Sequence, residues 1–295
     1  MKKIIFTIIA CAFTCNVLAQ GKLLYDTLQK PQLISKQFNF TEGPAVDKKG
    51  NIFFTDQPDN KIWKYDTEGK LSVFMDKAGR SNGIFFDKKG NLISCADEQD
   101  QLWSINKHGK VTVLVNDFDG HRLNGPNDLW VNRKTGGIYF TDPYYQRDYW
   151  DRKTSDLDGQ KVYYLPPNGS PVIADDQLKK PNGIVGTPDG NTLYVADIQA
   201  NKTYKYSIAA DGKLTNKQLL INQGSDGMTI DAEGNIYLTG KGVTVYDPSG
   251  KKIAHIDIPE PWTANICFGG RDRKLLFITA STAIYTLRMN VKGVE

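Results

Sequence analysis

Histidine is scarce in this chain: there are three in 295 residues, and they share no spacing. His108 sits in Lys107-His108-Gly109, the tip of a hairpin pattern, and His255 sits inside a strand pattern. His121 adjoins Arg122 and is the only one expected near a loop of interest. A histidine-based metal or acid–base cluster is therefore not expected. No Gly-x-Ser-x-Gly nucleophile elbow is expected either, which argues against a serine hydrolase. Runs of Lys or Arg are missing, and the net charge is only +4, two units of it from Lys2 and Lys3. That gives no case for nucleic acid or an anionic membrane surface as partner. Beyond the first twenty residues no stretch is apolar enough to cross a bilayer.

Cysteine is also sparse. Residues 1–19 read as a secretory signal, with Lys2 and Lys3 before an apolar run from Ile4 to Thr14. Val17-Leu18-Ala19 suits cleavage after Ala19, which leaves 20–295 as one domain. Ile8-Ile9-Ala10-Cys11 loosely resembles a lipoprotein cleavage box and ranks second. The expected destination is the periplasm or the exterior. Cleavage removes Cys11 and Cys15 and leaves Cys95 and Cys267, each within an apolar strand pattern and expected as a buried free thiol.

What the chain has is one phrase repeated six times. Each copy opens on a short polar turn, with glycine after the polar residue in four of the six, enters a short apolar strand, and turns before a second strand, at Asp-x-x-Gly-Asn in three of them. The openings are Thr41-Glu42-Gly43-Pro44, Ser81-Asn82-Gly83-Ile84, Pro126-Asn127-Asp128-Leu129, Pro181-Asn182-Gly183-Ile184, Ser225-Asp226-Gly227-Met228 and Ala264-Asn265-Ile266-Cys267. A period of about forty to fifty residues marks a propeller or solenoid. The first copy reads as four strands, Pro44–Asp47, Asn51–Asp56, Lys61–Asp66 and Leu71–Met75. The fold class expected is all-β, a six-bladed propeller with four-stranded blades. The sixth copy supplies only three strands, Ala264–Phe268, Lys274–Thr279 and Ala283–Arg288. The alternating segment Leu33–Phe38 is expected to complete that blade and close the ring. An insertion in the third copy, Pro143 to Gln160, carries Tyr144, Tyr145, Tyr149 and Trp150 and is a candidate lid.

In a propeller, equivalent positions ring one axis. Glu42, Asn82, Asn127, Asn182, Asp226 and Asn265 should then meet at a central mouth. All offer oxygen, which suits a hard cation, Ca²⁺ first, with Mg²⁺, Mn²⁺ or Zn²⁺ as alternatives. Asn and Asp are common turn formers, and Asn82 and Asn265 are expected to serve only as turns. Glu42 has no such local role, so it points to a demand for a carboxylate. The strand-end residues Asp56, Asp97, Asp142 and Asp197 are expected to tie turns within blades.

These stretches resemble the family of senescence marker protein 30, gluconolactonase and related lactonases. The resemblance rests on Glu42-Gly43-Pro44, Pro126-Asn127-Asp128, Thr141-Asp142-Pro143, Pro181-Asn182-Gly183-Ile184, Tyr194-Val195-Ala196-Asp197, Ser225-Asp226-Gly227 and Phe268-Gly269-Gly270, in the family's order. It is similar most of all to microbial gluconolactonases. The resemblance implies a divalent cation held by Glu42, Asn182 and Asp226, with Asn127 as fourth ligand or substrate contact. It implies Asp226 as proton acceptor, with ligation alone as the alternative role. Asp128 is the alternative carboxylate, with an orienting role favoured for it. Arg122 and Tyr144 are expected to contact substrate. The activity implied is opening of a small sugar lactone by a monomer or weak dimer. A phosphotriesterase on the same site, or a non-enzymic Ca²⁺-binding propeller that binds a sugar or protein, are the alternatives.

Overall fold

The structure is a computed structural model and describes residues 23–294; the expected leader, with Cys11 and Cys15, lies outside them. Among the described residues, six four-stranded sheets account for all the strands, and every pairing within them is antiparallel. The innermost strands are Thr41–Val46, Ser81–Phe86, Leu129–Val131, Pro181–Gly186, Met228–Ile230 and Asn265–Gly269. Each packs beside the next, and the sixth packs beside the first. The chain is a six-bladed β-propeller. The one regular non-strand segment among the described residues is a 3-10 turn, Asp97–Gln99.

The ring closes as the incomplete sixth copy requires. Gln32–Ser35 pairs antiparallel with Ala283–Arg288 as the outermost strand of the last blade, Gln32 opposite Thr286. This strand is shorter than the 33–38 segment expected, because Phe38 has left the sheet to enter the core. Phe38 is 5% exposed and meets Phe54 and Trp63 edge-on, with centroids 5.2 and 5.4 Å away. Lys36 Nζ reaches Glu260 Oε1 at 2.8 Å, and the Tyr285 hydroxyl donates to the same oxygen at 2.9 Å.

Burial explains the strand composition. Strands near the axis are covered on both faces by neighbouring blades, so Thr41–Val46 and Ile138–Asp142 are buried throughout. Outer strands are only partly covered and leave Val73 and Val113 exposed. The core lies between blades, where Phe53 of the first blade meets Phe86 of the second edge-on with centroids 5.1 Å apart. Cys95 and Cys267 are buried and unbonded to each other, as expected.

The hairpin turns follow from Asp-x-x-Gly-Asn. Asp47 Oδ1 accepts from the N–H groups of Lys49 and Asn51, and its Oδ2 accepts from Asn51 Nδ2 at 2.7 Å. Gly50 adopts φ +96°, a conformation that costs glycine little. Asp87 and Asp231 repeat this arrangement with Asn91 and Asn235.

Candidate active site

Glu42, Asn82 and Asn182 reach the axis as second residues of their inner strands, Asn127 and Asp226 lie two residues ahead of theirs, and Asn265 opens its own; bonds between blades fix the delivery. Thr55 Oγ1 donates to the Asn82 carbonyl at 3.0 Å, and Thr141 Oγ1 donates to the Asn182 carbonyl at 2.9 Å. Gly83 N–H donates to the Asn127 carbonyl at 2.6 Å. Thr41 Oγ1 crosses the closure to the Ala283 carbonyl at 2.9 Å. The backbones approach so closely that the residue after the axis position has little room. A Cβ on Gly43 would meet the Asn82 carbonyl oxygen at 2.3 Å, and one on Gly227 would meet Asn265 Cγ at 1.9 Å.

The result is a cavity of about 260 Å³ at the mouth, lined by Glu42, Asn82, Asn127, Asn182 and Asp226. Asn82, expected to be only a turn, faces it. Asn265 is also more than a turn. Its Oδ1 accepts from Ile266 N–H at 2.8 Å, its Nδ2 donates to Asp128 Oδ2 at 3.4 Å, and its side chain bonds Glu42.

Two carboxylates share this buried mouth. Glu42 is 3% exposed and accepts from Gly43 N–H at 2.9 Å. Asp226 Oδ1 accepts from Asn182 Nδ2 at 2.9 Å, and Asp226 Oδ2 accepts from Trp262 Nε1 at 2.6 Å. Burial, then the charge of Asp226, holds the Glu42 carboxyl well above the usual carboxylate range. Burial pushes Asp226 up to about 6, against the pull of its bonds to Trp262 and Asn182. Asp128 is pushed up to about 7 by burial, opposed by the Leu129 N–H and Asn265. Among the described residues no group of three or more His, Cys, Asp or Glu forms a metal-binding cluster. The donor set at the mouth is two carboxylates and the amide oxygens of asparagines, which suits a hard cation and not a thiophilic one.

Two residues expected as substrate contacts lie outside the cavity lining. Arg122 lies outside the cavity lining and is half-exposed; its Nε pairs with Asp156 at 2.9 Å and its η1 nitrogen with Asp151 at 3.2 Å. The insertion itself supplies those acids and holds Arg122 at its outer rim. Tyr144 also stays outside the lining, its hydroxyl spent on Gln146 Oε1 at 2.6 Å. Its neighbour Tyr145 enters instead, and Tyr145 Oη accepts from Asn182 Nδ2 at 3.1 Å. The guanidinium at the mouth is Arg147, whose Nε donates to Asp97 Oδ2 at 2.8 Å.

Asp97 thereby departs from the expected turn role. Asp56 accepts from the N–H groups of Asn39 and Phe40, Asp142 from Asn124 and Gly125, and Asp197 from Lys179 and Lys180. Asp97 spends its Oδ2 on Gln57, Arg147 and the Tyr149 hydroxyl. Trp150 Nε1 donates to its carbonyl at 3.1 Å. The insertion is thus pinned across the mouth, with buried Arg152 bonded to Asp100 beneath it.

Trp262, Phe40, Gln57 and Ile198 complete the lining and were not expected from sequence. Gln57 and Ile198 do carry a signal, since each directly follows a strand-end Asp. Gly79-Arg80-Ser81-Asn82-Gly83 spells Gly-x-Ser-x-Gly, which corrects the expectation that this pattern is missing. It forms no nucleophile elbow: Ser81 begins a buried strand, and its hydroxyl bonds the Ala78 carbonyl and Ser94. His255 lies in an outer strand, with Nδ1 3.1 Å from Thr244 Oγ1.

The chain has relatives among known proteins. Its nearly full length is similar to a gluconolactonase of Zymomonas mobilis, 30% identical over 89% of this chain and 82% of the relative. A solved gluconolactonase of Xanthomonas campestris matches with a TM-score of 0.81 at 26% identity, covering 90% of this chain and 97% of that one. A regucalcin of Agrobacterium tumefaciens, described as a calcium-binding protein, shares the fold with a TM-score of 0.74 at 21% identity, over 89% of this chain and 95% of that one. The SMP-30/gluconolactonase/LRE-like family matches residues 40–282. This chain is a member of that family.

Proposed function

We propose that this chain is a divalent-cation-dependent lactone hydrolase that opens a sugar lactone to its acid. The observation that carries the reading is the pair of buried carboxylates, Glu42 and Asp226, facing one cavity without a Lys or Arg bonded to either among the described residues. Buried charge costs several kcal/mol, and Arg147 at the mouth, bonded to Asp97, offsets it only in part. A divalent cation supplies the remaining compensation, and Glu42, Asp226, Asn182 and Asn127 would hold it. Ca²⁺ is the ion this all-oxygen donor set favours. When bound, such an ion acts as a Lewis acid on a carbonyl oxygen.

The rest of the chemistry belongs to the chain. Tyr145, Arg147 and Trp262 form a polar and aromatic wall that orients a hydroxylated ring. Water adds to the lactone carbonyl carbon, and Asp226 accepts its proton. The ring C–O bond then breaks, and that proton passes to the leaving ring oxygen. Trp262 and Asn182, each donating to Asp226, hold the carboxylate in place for both transfers. Asn265 orients Glu42 and Asp128 from below. Export through cleavage after Ala19 belongs to the same proposal.

The test is hydrolysis of glucono-1,5-lactone in a pH-stat, with the spontaneous rate subtracted. Turnover should vanish with chelator, return with Ca²⁺, and be lost in Glu42→Gln. Chelator-resistant turnover would remove the cation from the reading. No turnover of any lactone would remove the hydrolase.

A further inference from the structure

The mouth does not end at Trp262. A groove of about 630 Å³ adjoins it, and Ile198, Asp226 and Trp262 line both. The mouth alone is smaller than the ~300–1,000 Å³ of sites that enclose a drug-sized ligand, whereas the groove falls within that range. A single lactone ring leaves the groove without an occupant.

Its walls specify one. Asn201 Oδ1 accepts from Gly224 N–H at 2.9 Å, and Gln223 Oε1 accepts from the Tyr246 hydroxyl at 2.7 Å. With their oxygens engaged, these amides present their NH₂ groups as the available ends. Lys241 and Lys252 add ammonium donors, and Thr244 and His255 form a bonded pair on the same wall. Trp262 is 38% exposed at the junction and offers a ring face beside the donors. Amide donors, a hydroxyl–imidazole pair and one indole match a second hydroxylated ring. No run of aliphatic side chains lines the groove, so an acyl chain has no matching surface.

We propose that the groove is a subsite for a second sugar unit, so that lactones of disaccharide acids are preferred over gluconolactone. The proposal rests on the lactone-hydrolase reading. It places the reacting ring at Glu42 and Asp226, and the glycosyl substituent past Trp262 over the fifth blade.

The test measures binding apart from turnover. Calorimetry on the full Ca²⁺-loaded protein compares gluconate with cellobionate and melibionate, which carry the second sugar at different positions. At least one disaccharide acid should bind tenfold or more tightly than gluconate. Gln223→Leu and Lys252→Ala lie outside the mouth and should leave gluconate binding within twofold. Each should weaken the disaccharide acid about threefold to tenfold, the worth of one hydrogen bond. Disaccharide acids binding no better than gluconate, or no acid binding at all, would overturn the subsite. So would 6-phosphogluconate binding more tightly than every disaccharide acid, since the lysines would then serve an anion. Preferential disaccharide binding without turnover of any lactone would support the subsite while sinking the hydrolase reading. Lactone turnover without that preference would sink the subsite alone.

Discussion

Removing one negative charge from the mouth should stabilise the cation-free protein while abolishing its response to cation. The substitution is Asp226→Asn. In the folded chain burial raises the Asp226 carboxyl from about 4 to about 6. Each unit is worth about 1.4 kcal/mol, so ionised Asp226 costs about 3 kcal/mol at neutral pH without a cation. The asparagine avoids that cost but keeps only one acceptor oxygen for two donors, Asn182 Nδ2 and Trp262 Nε1. Losing one such bond forfeits about 1 kcal/mol. The relief exceeds the loss, and a net gain of about 2 kcal/mol should raise Tm by about 4 °C in a domain of this size.

The sign can be checked against pH. A carboxyl raised on folding keeps its proton longer in the native state than in the unfolded one. The stability this provides is fully present below about pH 4, the unfolded value, and is lost as pH rises through about 6. The gain from Asp226→Asn should therefore be small at pH 5 and full at pH 7.5. Differential scanning calorimetry of parent and variant at both pH values, in chelator or in millimolar Ca²⁺, reads every one of these conditions. Calcium should stabilise the parent at pH 7.5 by about 2.7 kcal/mol at a hundredfold excess over its Kd, raising its Tm, and leave the variant unmoved. A chelated variant that melts below the chelated parent at pH 7.5 would refute the charge argument.

The ring closure can be tested at one residue: Phe38→Ala removes a buried ring from between Phe54 and Trp63 and should cost about 3–5 kcal/mol in urea unfolding. Deletion of residues 20–38 should cost more, and a truncated chain with the parent's Cm would show that the N-terminal strand closes nothing. Gly227→Ala places a methyl group 1.9 Å from Asn265 Cγ; the displaced asparagine should lower stability by about 1–3 kcal/mol and weaken calcium binding in a titration. Unchanged calcium affinity in that variant would free Asn265 from its assigned part in orienting Glu42.

The fold was legible because its signals are local. An Asp-x-x-Gly-Asn turn needs only its own five residues, so each of the three copies that carry it announces a hairpin wherever it falls. The convergence of Glu42, Asn127, Asn182 and Asp226 was legible for the same reason: equal places in equal copies must ring one axis. The insertion follows no such rule. Its aromatic content marked it as a cover for the mouth, but neighbouring residues of an irregular loop face different ways. Tyr145 enters the cavity and Tyr144 does not. Arg122 has the charge to meet a substrate, yet Asp151 and Asp156 sit on the same insertion and take it first. Nothing in the spacing of Arg147 reveals that its partner is Asp97, fifty residues earlier.

Departures from the repeat carry more about chemistry than its agreement does. Four of the six copies place glycine after the axis residue, at Gly43, Gly83, Gly183 and Gly227, where crowding at the axis leaves little room for a side chain. The third copy places Asp128 there, and the carboxylate finds bonds from Leu129 N–H and Asn265. Its charge is among those that raise Glu42. A carboxylate in so confined a place weakens the domain unless something at the mouth favours negative charge. Glu42 in an asparagine slot and Asp128 in a glycine slot act in the same direction. Together with Asp226 they make the mouth more acidic than six turns require, and the cation we propose there would turn that local penalty into affinity.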